Sequence, residues 1–263
     1  MDEFEEKLKQ DFASWGKVLN ISKFTEELNT QLKANGFKKN NSRLIFSVCS
    51  DDCNRLAERE TAEKALTRLY DREFHLGGLA GYPFGGITGI TAASHHPPKI
   101  IADNGQEESD GNLVFFISPH VGMIKKQIFI YGSLIRPGQQ KPTASCGALM
   151  AFYNELKKAG SPEKLNIEID EFHIDPTRLI LQKELINKYS DRLEEIISIN
   201  EINQQIIELF KLNYDLIVNK LHQMIKEFLR KEKNNFNGKI AIVSGITVNA
   251  PNRDYFILKN IQK

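Results

Sequence analysis

Two short apolar runs in this chain each end at a residue able to ligate a metal. Arg43-Leu44-Ile45-Phe46-Ser47-Val48 leads into Cys49-Ser50-Asp51-Asp52, and Asn112-Leu113-Val114-Phe115-Phe116-Ile117-Ser118 leads into Pro119-His120. Runs of this length, bounded by polar turns, read as buried strands. A third, Lys239 to Val248, follows Asn237-Gly238, and Gln127 to Tyr131 is a weaker candidate. Helical patterns fill the intervals, so the chain is expected to be α/β. Open α/β sheets place their chemistry beyond the carboxyl ends of strands, which is where Cys49 and His120 fall.

Residues 2–35 carry Phe4, Leu8, Phe12, Leu19, Phe24, Leu28 and Leu32 at steps suited to one or two amphipathic helices. Residues 53–70 read as a helix with Leu56, Ala57, Ala65, Leu66 and Leu69 on its apolar side, and Cys146 opens a helix to about Ala159. Residues 178–233 hold a three-to-four spacing of apolar residues, with a break near Ser198 to Asn203. The expected organisation is an N-terminal helical segment, 1–40, and an α/β domain, 41–263, with a helical insertion at about 160–235. Residues 77–98 are glycine-rich but lack the register of a phosphate loop, so close backbone packing is the preferred reading.

At 263 residues with 41% hydrophobic content, the chain can bury a core without disulfides. A net charge of +1 provides no general field for nucleic acid or anionic membrane. Three cysteines at irregular spacing do not form a disulfide framework, which favours a reduced setting. The acidic start, Met1 to Gln10, has no apolar h-region, and no apolar stretch is long enough for a membrane span. A soluble, cytoplasmic protein is expected.

Cys49, His120 and Cys146 provide two thiolates and one imidazole. Three such ligands leave a fourth position for water, as catalytic zinc requires, whereas structural zinc is closed by four. A nearby carboxylate can orient that water, and an arginine can keep the carboxylate ionised. Asp51 and Arg55 have the local spacing for these two tasks, with Arg55 one turn into the following helix. The pattern alone is weak, because no CxxC pair occurs and buried free cysteines are common.

The segments CSDD followed by NR, GGLAGYPFGGITGITAASHHPP, FFISPHVGMI, RPGQQKPTASCGALMAFY and GITVNAPNRDYF together resemble the limiting-CO2-inducible protein B/C family, also described as theta-class carbonic anhydrases. The resemblance covers roughly 40–155 and 238–258. It implies a β-carbonic-anhydrase-like central sheet flanked by helices, and zinc held by Cys49, His120 and Cys146. It also implies an Asp51–Arg55 dyad, a homodimer, and reversible hydration of CO2 to bicarbonate by zinc-bound hydroxide.

Other readings remain open on the residues. Cys146 could serve as a hydrolase nucleophile with His120 as base and Asp51 or Asp52 as orienter. The helices of 178–233 could give a catalytically silent protein its partner surface. Cys53 is read as a plain buried thiol and Asp52 as a helix cap. Ser145 is a candidate hydrogen-bond donor to a ligand sulfur or to bicarbonate. His95 and His96 are candidate proton shuttles, and Leu79, Tyr82, Phe84 and Ile87 a candidate apolar wall. His75, His173 and His222 have no supporting context.

Overall fold

A computed structural model describes residues 2–56, 58–70, 72–109, 111–165, 174–233 and 235–263, without the side chains of 108 and 109. Ala57 and His173 lie outside the described residues. The chain opens with α1 (Glu3–Asp11), whose first turn is capped by Asp2 accepting from the Glu5 N–H at 2.9 Å. It continues through β1 (Lys17–Asn20), α2 (Ile21–Ala34), β2 (Ser42–Val48), α3 (Ala62–Tyr70), β3 (Glu73–His75) and α4 (Gly86–Ser94). Next come β4 (Ile100–Ile101), β5 (Glu107–Ser109), β6 (Asn112–Ser118), β7 (His120–Lys125), β8 (Phe129–Tyr131), β9 (Ser133–Leu134) and β10 (Thr143–Ala144). The last elements are α5 (Gly147–Ala159), α6 (Pro176–Ser198), α7 (Ile202–Lys231), β11 (Ile240–Asn249) and β12 (Asp254–Gln262).

The principal sheet runs β1-β12-β11-β6-β2-β3, with β7 also on β11 and β8 on β7. The pairs β11–β6, β6–β2 and β2–β3 are parallel, whereas β12 and β1 close one edge antiparallel. The parallel centre is covered on both faces, which is why its strands read as unbroken apolar runs. Leu44, Phe46, Val114, Phe116, Ala241 and Val243 face α2 and α3. Their neighbours Ile45, Leu113, Phe115 and Ile117 face the opposite layer, with Leu149, Phe152, Phe210 and Ile217 of α5 and α7.

Two helical expectations are corrected. Residues 2–35 form two helices separated by β1, so Val18 and Leu19 are buried as strand residues paired with Ile257 and Phe256. Residues 53–70 are not one helix. Asp52–Asn54 makes a single 3-10 turn and α3 begins only at Ala62. α6 and α7 break within the expected interval, and α7 lies in the same core as the sheet. Tyr214 and Ser244 join it to β11 through a 2.9 Å hydroxyl contact. Among the described residues, no helix is long and apolar enough to cross a membrane.

The glycine-rich segment crosses the end of β2. A Cβ on Gly77 would lie 2.3 Å from the Val48 carbonyl oxygen, so only glycine permits this approach. Ser47 Oγ donates to the Gly81 carbonyl at 2.9 Å, and Asn213 of α7 donates to the Ala80 carbonyl at 2.9 Å. These contacts fix the segment as packed backbone beside the strand that delivers Cys49.

Candidate metal centre

Cys49 follows the last residue of β2. β6 stops at Ser118 because Pro119 has no N–H for the ladder, and the chain resumes as β7 with His120 opposite Thr247 of β11. Cys146 is the N-cap of α5. Three elements far apart in sequence therefore converge. Their ligand atoms, the two sulfurs and a His120 ring nitrogen, all lie within 4.8 Å of one another, and all three residues are buried. The sulfurs of Cys49 and Cys146 are 3.5 Å apart.

These residues fit a metal. Asn249 Oδ1 lies 2.7 Å from His120 Nδ1 and, as an acceptor, assigns the ring proton to Nδ1. Nε2 is then a bare acceptor, buried and without a partner. A buried nitrogen left open while the other ring nitrogen is anchored is the usual state of a ligating histidine. The sulfurs are a coupled pair. Cys49 is drawn down to about 4, first by the hydrogen bond from Cys146, with burial opposing, while Cys146 is pushed well up by that same bond and by burial. A cation bound by both sulfurs would favour their thiolate forms and release the protons they hold.

Asp51 stands beside this trio, its Oδ2 3.7 Å from His120 Nε2. Its arginine is not Arg55. Arg136 Nη2 lies 2.8 Å from both Asp51 oxygens, and Arg136 Nε donates to Asp52 Oδ1 at 3.0 Å. Arg55 turns away and pairs through Nε with buried Glu63 at 2.7 Å. The expected pairing failed because the helix expected to carry Arg55 back over Asp51 does not form there. Arg136 sits on the β9–β10 loop and also donates to the Ala144 carbonyl at 3.2 Å. Burial alone would raise the Asp51 carboxyl. The bonds from Arg136 and the Cys53 N–H oppose that and draw it below the usual carboxylate range.

The surroundings revise other expectations. Asp51, not Asp52, caps the short turn by accepting from the Cys53 N–H at 3.3 Å. Cys53 Sγ is 3.3 Å from both His120 Nδ1 and Asn249 Oδ1, and Ser145 Oγ lies 3.7 Å from Cys53 rather than against a ligand sulfur. His95 and His96 are not at the mouth. The His96 carbonyl accepts from Arg43 at the start of β2, six residues or about 20 Å along an extended strand from Cys49. Tyr82 shares a buried cluster with Cys49 and Cys146, and Leu79, Phe84 and Ile87 pack against that cluster. His75 stacks on Phe46, and His222 meets Gln262. A cavity of about 480 Å³ abuts the arginine clamp, lined in part by Arg59, Arg136, Ile135 and Pro251.

Asn249 and Arg136 were both missed from the sequence. Behind Asn249 lies Asp254, fully buried, with Arg59 Nη2 3.2 Å from its Oδ1. Burial raises Asp254 to about 7, with the Arg59 charge opposing. A carboxyl raised on folding contributes stability that is fully present below its unfolded value near ~4 and is lost as pH rises through about 7. Denaturant unfolding at pH 5 and pH 8 is expected to show this decline, and Asp254→Asn to flatten it. A steeper decline in the variant would contradict the assignment.

The fold and the trio define a mixed α/β protein with a Cys-His-Cys set at two strand ends and a helix N-terminus, suited to one metal ion. The chain belongs to the family of limiting CO2-inducible proteins B/C, β-carbonic anhydrases, whose family model matches residues 18–262. Among solved structures it is similar to PtLCIB4, a homologue of the limiting CO2-inducible protein LCIB. That match has 24% identity and a TM-score of 0.72, covering 97% of this chain and 93% of that one. It is also similar to a histidine-to-alanine mutant of PtLCIB4, at 23% identity and TM-score 0.72, covering 97% and 92% of the two chains. LCIB itself matches at 18% identity and TM-score 0.66, covering 99% and 94%. A search of curated proteins finds no match.

Proposed function

We propose that this chain is a zinc-dependent carbonic anhydrase that interconverts CO2 and bicarbonate. The observation that carries this reading is the bare, buried His120 Nε2, grouped with two sulfurs and faced by an arginine-held carboxylate. Cys49, His120 and Cys146 would hold the ion. Zinc in such a set supplies Lewis acidity that brings the pKa of water to about 7, so hydroxide is available at neutral pH.

The remaining work belongs to the protein. Asp51 stays ionised and accepts a hydrogen bond from the attacking water, turning a lone pair toward the CO2 carbon. Arg136 holds both Asp51 oxygens and keeps the carboxylate from swinging toward the ion. Asn249 fixes the His120 ring through Nδ1. The adjoining cavity, lined by Glu58, Arg59 and Arg136 among others, gives bicarbonate a way out beside the clamp. The proton leaves to buffer. A homodimer is part of the same proposal, and light scattering of the purified chain tests it.

A second reading has its own support. Asp51, Cys53 and His120 also group within 4.8 Å, so a shift of Asp51 would fill the fourth ligand position and give a silent zinc protein. The hydrolase reading is poorly supported, because Cys146 is buried with its thiol raised, and a nucleophile needs the thiolate. Stopped-flow CO2 hydration separates the two zinc readings. The zinc-loaded chain is expected to exceed the buffer rate, and Asp51→Ala to lower turnover while retaining most zinc. A zinc-loaded chain no faster than buffer contradicts the enzyme.

A further inference from the structure

The two ligand sulfurs are also placed to react with each other. Cys49 Sγ and Cys146 Sγ lie 3.5 Å apart, and a disulfide needs about 2.05 Å. Both backbones are pinned. Asn54 donates to the Cys49 carbonyl at 3.1 Å, and the N–H and carbonyl of Ser145 are bonded to Gly132 and Gly122 at 3.0 and 2.9 Å. Closing the gap thus falls to rotation about the two Cα–Cβ bonds, with β2 and α5 left in place.

The third cysteine stands apart from this pair. Cys53 Sγ lies beside the His120 ring, 3.3 Å from Nδ1, and its other described contacts are Asn249 Oδ1 at 3.3 Å and Ser145 Oγ at 3.7 Å. Neither ligand sulfur is among them. Sequence proximity alone pairs Cys49 with Cys53, but the fold pairs it with Cys146, 97 residues on. Cys49 and Cys146 are 2% and 1% exposed, which shuts out bulky reagents. A small one has a short way in. Gly147, next to Cys146, is exposed, and a Cβ placed there would meet nothing within 4 Å.

We propose that the metal centre is a redox switch, in which hydrogen peroxide closes Cys49 and Cys146 into a disulfide when no ion holds them, and a dithiol reopens it. The switch rests on the reading of Cys49, His120 and Cys146 as zinc ligands. One sulfur gives two electrons to the peroxide and becomes a sulfenic acid as the O–O bond breaks and a first water leaves. The other sulfur attacks it, the S–O bond breaks, and a second water leaves with the thiol proton. A metal takes thiolates, so the disulfide leaves only His120 of the trio able to hold an ion. A bound ion acts in the opposite sense, because it engages the sulfur electron pairs that the peroxide would take. A dithiol returns both thiols through a mixed disulfide and itself closes to a disulfide.

The test uses the full chain, reduced and divided, one half loaded with zinc and the other stripped by a chelator. Both halves are exposed to hydrogen peroxide, thiols are counted in denaturant, and zinc is measured on the same samples. The zinc-loaded half is expected to keep all three thiols, and the stripped half only that of Cys53. The stripped half is also expected to yield a bridged Cys49–Cys146 peptide in mass spectrometry, and to take up zinc only after dithiothreitol. The mapping needs no variant. Cys53→Ala, with its fold checked by circular dichroism, is expected to lose the same two thiols. Three thiols remaining in the stripped half, a bridge that includes Cys53, or equal loss with zinc bound would overturn the switch. A reduced chain that takes up no zinc would overturn both the switch and the zinc reading. A working switch in a chain that does not hydrate CO2 would support the switch and remove the carbonic anhydrase.

Discussion

Replacing His120 with alanine is expected to remove both bound zinc and CO2 hydration. His120 supplies the only nitrogen of the trio, and its Nε2 has no other partner. Zinc affinity is expected to fall by more than ~100-fold, because losing a residue that merely orients a ligand already costs about 10–100-fold. Asn249 provides the graded comparison. It touches the trio only through the 2.7 Å contact with His120 Nδ1. Asn249→Ala is therefore expected to lie in that lower range, with residual activity restored by excess zinc, whereas His120→Ala stays inactive at any zinc concentration. Competition with a chromophoric chelator measures the affinities. Unchanged zinc binding in His120→Ala would show that the ion is held elsewhere.

The second large effect separates two arginines. Arg136→Ala is expected to lower kcat/KM for CO2 by about 10²–10³, the usual scale for removing a preorganised electrostatic partner. Zinc is retained, because Arg136 contacts the carboxylates and not the ligands. Arg55→Ala is expected to change kcat/KM by less than about threefold, since Arg55 meets Glu63 and is half-exposed. Both variants are compared by stopped-flow hydration at a temperature where each is folded. The reverse order, with Arg55→Ala the damaging change, would mean that Asp51 is held in another way during turnover. Arg136→Lys is expected to recover only part of the loss, because an ammonium lacks the guanidinium fork that also reaches Asp52.

Legibility followed burial. β2, β6 and β11 were readable because both faces of each are covered, leaving runs such as Leu113 to Ile117 with no polar interruption. β1 was not. It has four residues, and Leu19 happens to fall in step with the helical apolar positions around it. Only its pairing with β12 makes it a strand, and that contact joins opposite ends of the chain. β12 itself is buried from Asp254 to Phe256 and Ile257 but exposed toward its end, so it carries no continuous apolar signal.

The candidate site divides in the same way. Cys49, His120 and Cys146 stood out because thiols and an imidazole at element ends carry recognisable chemistry. Their supports did not. Arg136 reaches Asp51 across 85 residues, and although it opens one of the segments that carry the family resemblance, no local spacing ties it to Asp51. Asn249 reads as a polar strand end until β7 is laid beside β11 and places His120 opposite Thr247, two residues earlier. Arg55 misled because sequence proximity to Asp51 substituted for contact, and the unformed helix sent its side chain to Glu63.

The most direct test of an open zinc site is zinc K-edge X-ray absorption on the zinc-loaded chain, with CO2 hydration measured on the same sample. An open zinc site gives two sulfurs at about 2.3 Å, one imidazole nitrogen at about 2.0–2.1 Å and one exchangeable light ligand. Hydration is then expected to exceed the buffer rate, with the light ligand replaced when a small anion inhibitor is added. A first shell of two sulfurs, one nitrogen and a carboxylate oxygen that no inhibitor displaces, with hydration at the buffer rate, would contradict it.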